Sequence, residues 1–213
     1  MKKIKNWAGK KFNSKYLISK ELEDAKSILD VGCGRESILY GINLSAQTTG
    51  MDFYKPYIDK SKSKKIHDKY VLHDITKTFP FKDNSFDKAI CTEVLEHIEK
   101  KKGLQVIKEV ERVAKNQIIL TTPNGLTRDM KPRKHDNPKE KHVSGWEVRD
   151  LKKLGFTARG LHGFKFLRND IGEIKYKPTI LFRTLSFLSK PLAYYFPQKA
   201  YQLYFYKKLN KRI

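Results

Sequence analysis

The residues with most to offer chemically stand at the ends of apolar runs. Ser27 to Gly34 reads Ser-Ile-Leu-Asp-Val-Gly-Cys-Gly, an apolar strand running into a glycine turn. Glycine has no Cβ, so such a turn lets the backbone approach a nucleotide-like ligand closely. Asp30, Gly32, Cys33 and Gly34 lie there. Asp52 and Phe53 end a second apolar run, about 20 residues on, where a carboxylate can accept both hydroxyls of a ribose. Asp74-Ile75 ends a third run; a carboxylate there can accept from an adenine amino group while the next backbone N–H donates to the ring. Thr92-Glu93 ends a fourth, under the far end of the same ligand. Taken singly each has a plainer explanation: a strand-end acid is often a helix N-cap, and Asp74 can cap a turn before Thr76. Order and spacing together make the group specific. A dinucleotide fingerprint is incomplete, because Ser37 stands where the third glycine of Gly-x-Gly-x-x-Gly would fall.

Alternating strands and helices must hold these residues. Strands are predicted at Ser27–Gly32, Thr48–Phe53, Tyr70–Asp74, Lys88–Thr92 and Gln117–Thr122, with later ones at Phe156–Leu161 and Ala200–Lys208. Leu104, Ile107, Val110, Glu111 and Ala114 recur with a period near 3.6 and predict a helix. Further helices are expected from about Trp7 to Lys26, basic and amphipathic, and from Trp146 to Leu154. The expected fold is α/β: a Rossmann-like, doubly wound, mostly parallel seven-stranded sheet with ligands at the carboxyl ends of its strands.

Leu29-Asp30-Val31-Gly32-Cys33-Gly34, Gly50-Met51-Asp52, His73-Asp74-Ile75, and the run Phe79 to Asp87 followed by Glu93-Val94-Leu95-Glu96-His97-Ile98 resemble the type 11 and 12 branch of class I S-adenosylmethionine-dependent methyltransferases. The likeness covers about residues 25–160. It implies S-adenosyl-L-methionine as cofactor, bound at Asp30, Gly32, Gly34, Asp52, Asp74 and Glu93. Glu36 departs from the pattern, since many members carry a further glycine there.

Methyl transfer to a hydroxyl also needs a base. His97 is the first candidate, one helical turn after Glu93 if the two share a helix face; the alternative is a histidine that packs its helix on the core. His135 and His142 are further candidates. None of the six histidines shows paired ligand spacing, so no metal site is expected.

The chain of 213 residues suits a single domain with a sizeable core. Its 45 Lys+Arg against 23 Asp+Glu leave a net charge of +22, which draws anionic partners. Cys33 and Cys91 form no disulfide framework and read as reduced packing residues of a cytoplasmic protein. No run of apolar residues is long enough to span a membrane. Two segments stand apart. Residues 124–145 are polar and basic, with Arg128, Lys131, Arg133, Lys134, Lys139 and Lys141, and form a lid-like loop. About 167–199 is a cap, inserted before the last strand; no acidic residue follows Glu173, while Lys, Arg, Tyr and Phe interleave. That composition suits the inner face of an anionic membrane, and hence a small-molecule, lipid-linked or glycan acceptor; the alternative is a cap whose aromatics are core. RNA methylation is the runner-up, motivated by charge. Against it, Cys91-Thr92-Glu93-Val94 lacks the Asn/Asp-Pro-Pro-aromatic signature of exocyclic-amine methylation. A non-catalytic nucleotide-binding module and a nicotinamide-dependent oxidoreductase are the remaining alternatives.

Overall fold

The computed structural model describes residues 12–127, 137 and 140–209. Seven strands form one sheet: β1 (Ser27–Val31), β2 (Gln47–Asp52), β3 (Lys69–Leu72), β4 (Phe86–Thr92), β5 (Ala114–Pro123), β6 (Thr157–Phe164) and β7 (Ala200–Lys208), in the order β3-β2-β1-β4-β5-β7-β6. Among the described residues six α-helices accompany them: α1 (Ser14–Leu22), α2 (Lys55–Ser63), α3 (Lys100–Val113), α4 (Val148–Lys152), α5 (Thr179–Leu188) and α6 (Lys190–Tyr195). β1 pairs in parallel with β2 and with β4, and β2 with β3. β7 runs the other way, for Asn124 N–H donates to Tyr201 O while Leu209 N–H donates to Asn116 O, a register that descends along one strand as it rises along the other. The sheet is therefore mixed rather than uniformly parallel, within the α/β class expected.

Two compact units are discernible. One is built from Ile18–Leu95, Glu99–Leu120 and the chain from Tyr206; the other from Glu96–Ile98 and Thr121–Phe205, with the segment up to Leu17. In the first, Ile28, Leu29 and Val31 of β1 are fully buried, as a parallel strand covered on both faces requires. The chain runs outward from β1 through β2 to β3 and then crosses back to place β4 on the other side of β1, so the order of strands reverses at β1. Ligands of open α/β sheets bind outside the strand ends at such a reversal. α3 lays Gly103, Val106, Ile107, Val110 and Val113 on the sheet. Leu104, expected on that face, is exposed, and Ala114 already belongs to β5. The stripe is therefore turned by one position from the one the periodicity suggested.

Arg112, at the end of α3, holds the loop before β4. Its guanidinium donates to Glu109, to Asp83 at 2.8 Å, and to the carbonyls of Phe81 and Phe79 at 2.8 and 3.1 Å. Glu109 in turn accepts from Phe79 N–H at 2.7 Å, and the neighbouring guanidinium holds its carboxyl below the usual range. Arg112→Ala is expected to lower stability by about 2 kcal/mol, since it removes several charge-assisted bonds at once. Urea unfolding at neutral pH measures this. A lowered carboxyl contributes stability above its unfolded pKa, and that contribution is lost as pH falls through the folded one. The gap between wild type and Arg112→Ala should therefore narrow below about pH 4.5.

In the second unit, α4 starts from a reciprocal capping box between Glu147 and Asp150 and is followed by Gly155 in the left-handed region. It is shorter than the Trp146–Leu154 expected. α1 likewise covers only the centre of the Trp7–Lys26 expectation; residues 7–11 lie outside the described residues. So do Arg128, Lys131, Arg133, Lys134, Lys139 and His135 of the lid-like segment. No helix among the described residues is long and apolar enough to cross a membrane.

Candidate functional site

The ends of β1 and β2 build a cradle. Gly32 N–H and Cys33 N–H both donate to Met51 O, at 2.7 and 3.1 Å, which folds the glycine turn back over β2. Gly32 has φ +70°, and a Cβ there would stand 2.5 Å from Val94 Cγ2. Gly34 N–H donates to Asp52 Oδ2 at 2.9 Å, and Tyr54 N–H to Asp52 Oδ1 at 2.9 Å. Each carboxylate oxygen thus keeps acceptor capacity for one more donor. Burial of the carboxyl raises its pKa; the two N–H donors oppose that, and the nearby Asp30 charge adds to it. A side chain at Gly34 would project into space open to 4 Å. Two acceptors beside an open, glycine-lined turn are what a ribose needs. The residues present fit an adenosyl group.

Asp30 sits deeper. Its Oδ2 accepts from Ser37 Oγ and lies 3.0 Å from His67 Nε2. Ser37, where a dinucleotide site would have glycine, uses its hydroxyl to hold this carboxylate. His67 was not singled out in the sequence; it lies far from Asp30 along the chain, and the one trace of it is Gly50, where a Cβ would come within 2.8 Å of His67 Nδ1. Cys33 is buried, and desolvation pushes its thiol far above the ordinary range, so it packs rather than reacts. β3 stops at Leu72, two residues before the strand end expected. Asp74 Oδ1 accepts from Thr76 N–H at 3.0 Å and Thr76 Oγ1 at 2.8 Å, the turn-capping geometry set out above as the plainer explanation. Ile75 is buried beside it, and Phe53 is half-buried. Thr92 is half-buried at the end of β4, and Glu93 is exposed with φ +54°. A left-handed non-glycine residue stores strain of the kind found where backbone geometry serves a ligand.

Glu93 and His97 do not share a helix face. The chain bends at Glu93, and only a single 3₁₀ turn, Leu95–His97, precedes α3. In the second unit, His97 instead meets His142, with ring centroids 4.8 Å apart. His97 Nδ1 lies 3.4 Å from Lys141 O, and His142 Nδ1 lies 2.5 Å from Thr127 Oγ1. Burial holds His97 down to about 4, aided by the neighbouring His142, and burial lowers His142 as well. Glu96, 2% exposed, brings a carboxylate to the same place: one ligand atom from each of Glu96, His97 and His142 lies within 4.8 Å of the others. Local ligand spacing does not reveal this grouping, which joins residues some 45 apart.

Residues 29–120 match the family model described as a methyltransferase domain. An uncharacterized protein of Methanocaldococcus jannaschii is 34% identical over 107 residues, which cover 47% of this chain and 42% of the relative. The match thus spans less than half the length of that relative. Among solved structures, a SAM-dependent methyltransferase from Archaeoglobus fulgidus aligns over 94% of this chain and 97% of its own at 16% identity, with a TM-score of 0.55. The [4+2]-cyclase SpnF aligns over 91% and 79% at 16% identity, TM-score 0.56. Residues 29–120 are thus similar to a methyltransferase domain, and the fold is shared with solved structures that include a SAM-dependent methyltransferase. A cyclase on the same fold means that fold alone does not fix the reaction.

Proposed function

We propose that this chain transfers the methyl group of S-adenosylmethionine to a lipid-linked, glycan or small-molecule acceptor presented at an anionic membrane surface. Asp52 accepts the ribose hydroxyls, Gly32, Cys33 and Gly34 bring backbone against the cofactor, Asp74 and Ile75 flank the adenine with Phe53 alongside, and Thr92 and Glu93 face the methionine end. Asp30 steadies the turn from below through Ser37 and His67.

The observation that carries the acceptor reading is the outward face of α5 and α6. Ser186 is the one buried residue of α5, while Leu181, Leu185, Leu188 and Leu192 are exposed at helical spacing and Ile180 is 82% exposed. The aromatics of this segment are only in part core, since Tyr195 and Phe196 are exposed too. Basic residues flank that face, and no carboxylate follows Glu173 to repel an anionic headgroup. Inserting four half-exposed aliphatic side chains is worth on the order of 5 kcal/mol, and adjacent Lys and Arg add about 1 kcal/mol each.

Two readouts test this. Wild-type protein should pellet with vesicles of mixed phosphatidylglycerol and phosphatidylcholine at 0.15 M salt, and Leu181→Ser/Leu185→Ser/Leu188→Ser should partition at least about tenfold less. Labelled S-adenosylmethionine incubated with fractionated cell extract should leave label in lipid or glycan. Label confined to RNA overturns the acceptor reading, and absence of pelleting removes the membrane.

A further inference from the structure

The second unit holds a group of side chains that the methyl-transfer reading does not use. Glu96 and His97 belong to the 3₁₀ turn Leu95–His97, and His142 to an irregular stretch that returns beside it. Backbone bonds fix the two segments together: Val143 N–H and Ser144 N–H both donate to Glu96 O, at 2.8 and 3.1 Å. The return stretch is anchored in turn. Trp146, wholly buried, donates its indole N–H to Ser144 Oγ at 3.1 Å, and Gly125 N–H donates to Trp146 O at 2.7 Å. A side chain at Gly145 could not be accommodated, since its Cβ would fall within 2.8 Å of Leu126 Cα. The positions of the three side chains are thus set by backbone, ahead of any ligand.

We propose that Glu96, His97 and His142 bind one divalent transition-metal cation. Two imidazoles and one carboxylate are a donor set that suits zinc, manganese or iron better than magnesium or calcium, which prefer oxygen alone. Ligand atoms of a tetrahedral site lie about 3.3 Å apart, so three atoms already within 4.8 Å need only side-chain rotation to close on an ion.

The surroundings orient the rings as a metal site does. A carbonyl oxygen can only accept, so the contact with Lys141 O places the proton of His97 on Nδ1 and leaves Nε2 with the free lone pair. The Thr127 hydroxyl, which can accept as well as donate, lies against Nδ1 of His142 and is compatible with the same tautomer. A cation would also offset the cost of carrying the Glu96 carboxylate into the interior. Three protein ligands leave positions open for an oxygen donor, the arrangement of a working site rather than of a closed structural one. On this assignment the imidazole lone pairs serve as ligands, and neither histidine is a general base.

The test uses the full chain, stripped with chelator and titrated with Co²⁺ while the visible d–d bands are recorded, then displaced with Zn²⁺ and with Mn²⁺. One equivalent should bind. His142→Gln, on the half-exposed side of the group, and His97→Gln should each weaken binding roughly tenfold or more. His73→Gln, a histidine outside the group, should bind as wild type. S-adenosylmethionine binding by each variant, measured by calorimetry, reports that the fold is intact and is read separately from the metal. The inference is overturned if wild type shows no stoichiometric Co²⁺ band, or if His142→Gln binds as tightly as wild type while retaining the cofactor. Loss of cofactor binding in wild type, with Co²⁺ still bound, would instead sink the methyltransferase reading and leave the metal site standing.

Discussion

Asp52→Ala should weaken S-adenosylmethionine binding about a hundredfold and change folding stability by less than about 1 kcal/mol. The two effects separate because the carboxylate has opposite roles in them. Toward the cofactor it is the acceptor for two hydroxyls, and charge-assisted hydrogen bonds are worth about 1.5–3 kcal/mol each. Toward the fold it is costly: burial disfavours its charged form and raises its pKa, and backbone N–H groups, those of Gly34 and Tyr54 first, offset part of that. Removing it relieves a desolvation cost while stranding two amides beside an open turn that water can reach. Asp52→Asn is the sharper control. It preserves shape but turns one acceptor into a donor, so binding should still fall at least about tenfold. Calorimetric titration with S-adenosylmethionine and urea unfolding of the same preparations give both numbers. A variant that binds as wild type would show that the ribose is held elsewhere.

Gly32→Ala carries the largest expected cost to the fold, about 3 kcal/mol. Two causes add. A side chain at φ +70° is strained by about 1 kcal/mol or more, and its Cβ would overlap Val94 Cγ2 at 2.5 Å. These causes can be told apart. In a double-mutant cycle with Val94→Ala the overlap disappears and the strain remains, so a coupling of about 1 kcal/mol is expected. Gly34→Ala serves as comparison, because it shares the positive φ but meets nothing within 4 Å. It should lose only the strain. Equal losses at the two glycines would show that packing against Val94 plays no part.

The cradle was legible because its parts sit at the ends of strands whose apolar runs are continuous, and a parallel strand buried on both faces advertises itself in that way. Asp30, Gly32, Gly34 and Asp52 could be placed from spacing for the same reason. The turn after β4 could not. Leu95–His97 follows an apolar run and precedes a true helix, so a helical period seemed to link Glu93 to His97; the left-handed residue at Glu93 that breaks it leaves no mark in composition. His67 and His142 escaped for another reason. Each meets its partner only through tertiary packing, and no local rule couples residues so far apart. The outward leucines of α5 are ambiguous in principle, since the same spacing describes a face turned to a core and a face turned to solvent.

The place of β7 has a consequence for how the protein is made. It is the last strand among the described residues, yet it lies between β5 and β6, and its entry is fastened by Asn124, whose side-chain amide donates to the carbonyls of Gln198 and Ala200 at 2.9 and 2.8 Å. During synthesis from the N-terminus β5 emerges with one edge bare, and β6 emerges with no neighbour to pair. Both must wait for a strand not yet translated. A ribosome stalled before Ala200 would therefore display one bare edge of β5 and both edges of β6 at once, the state in which a nascent chain most needs a chaperone.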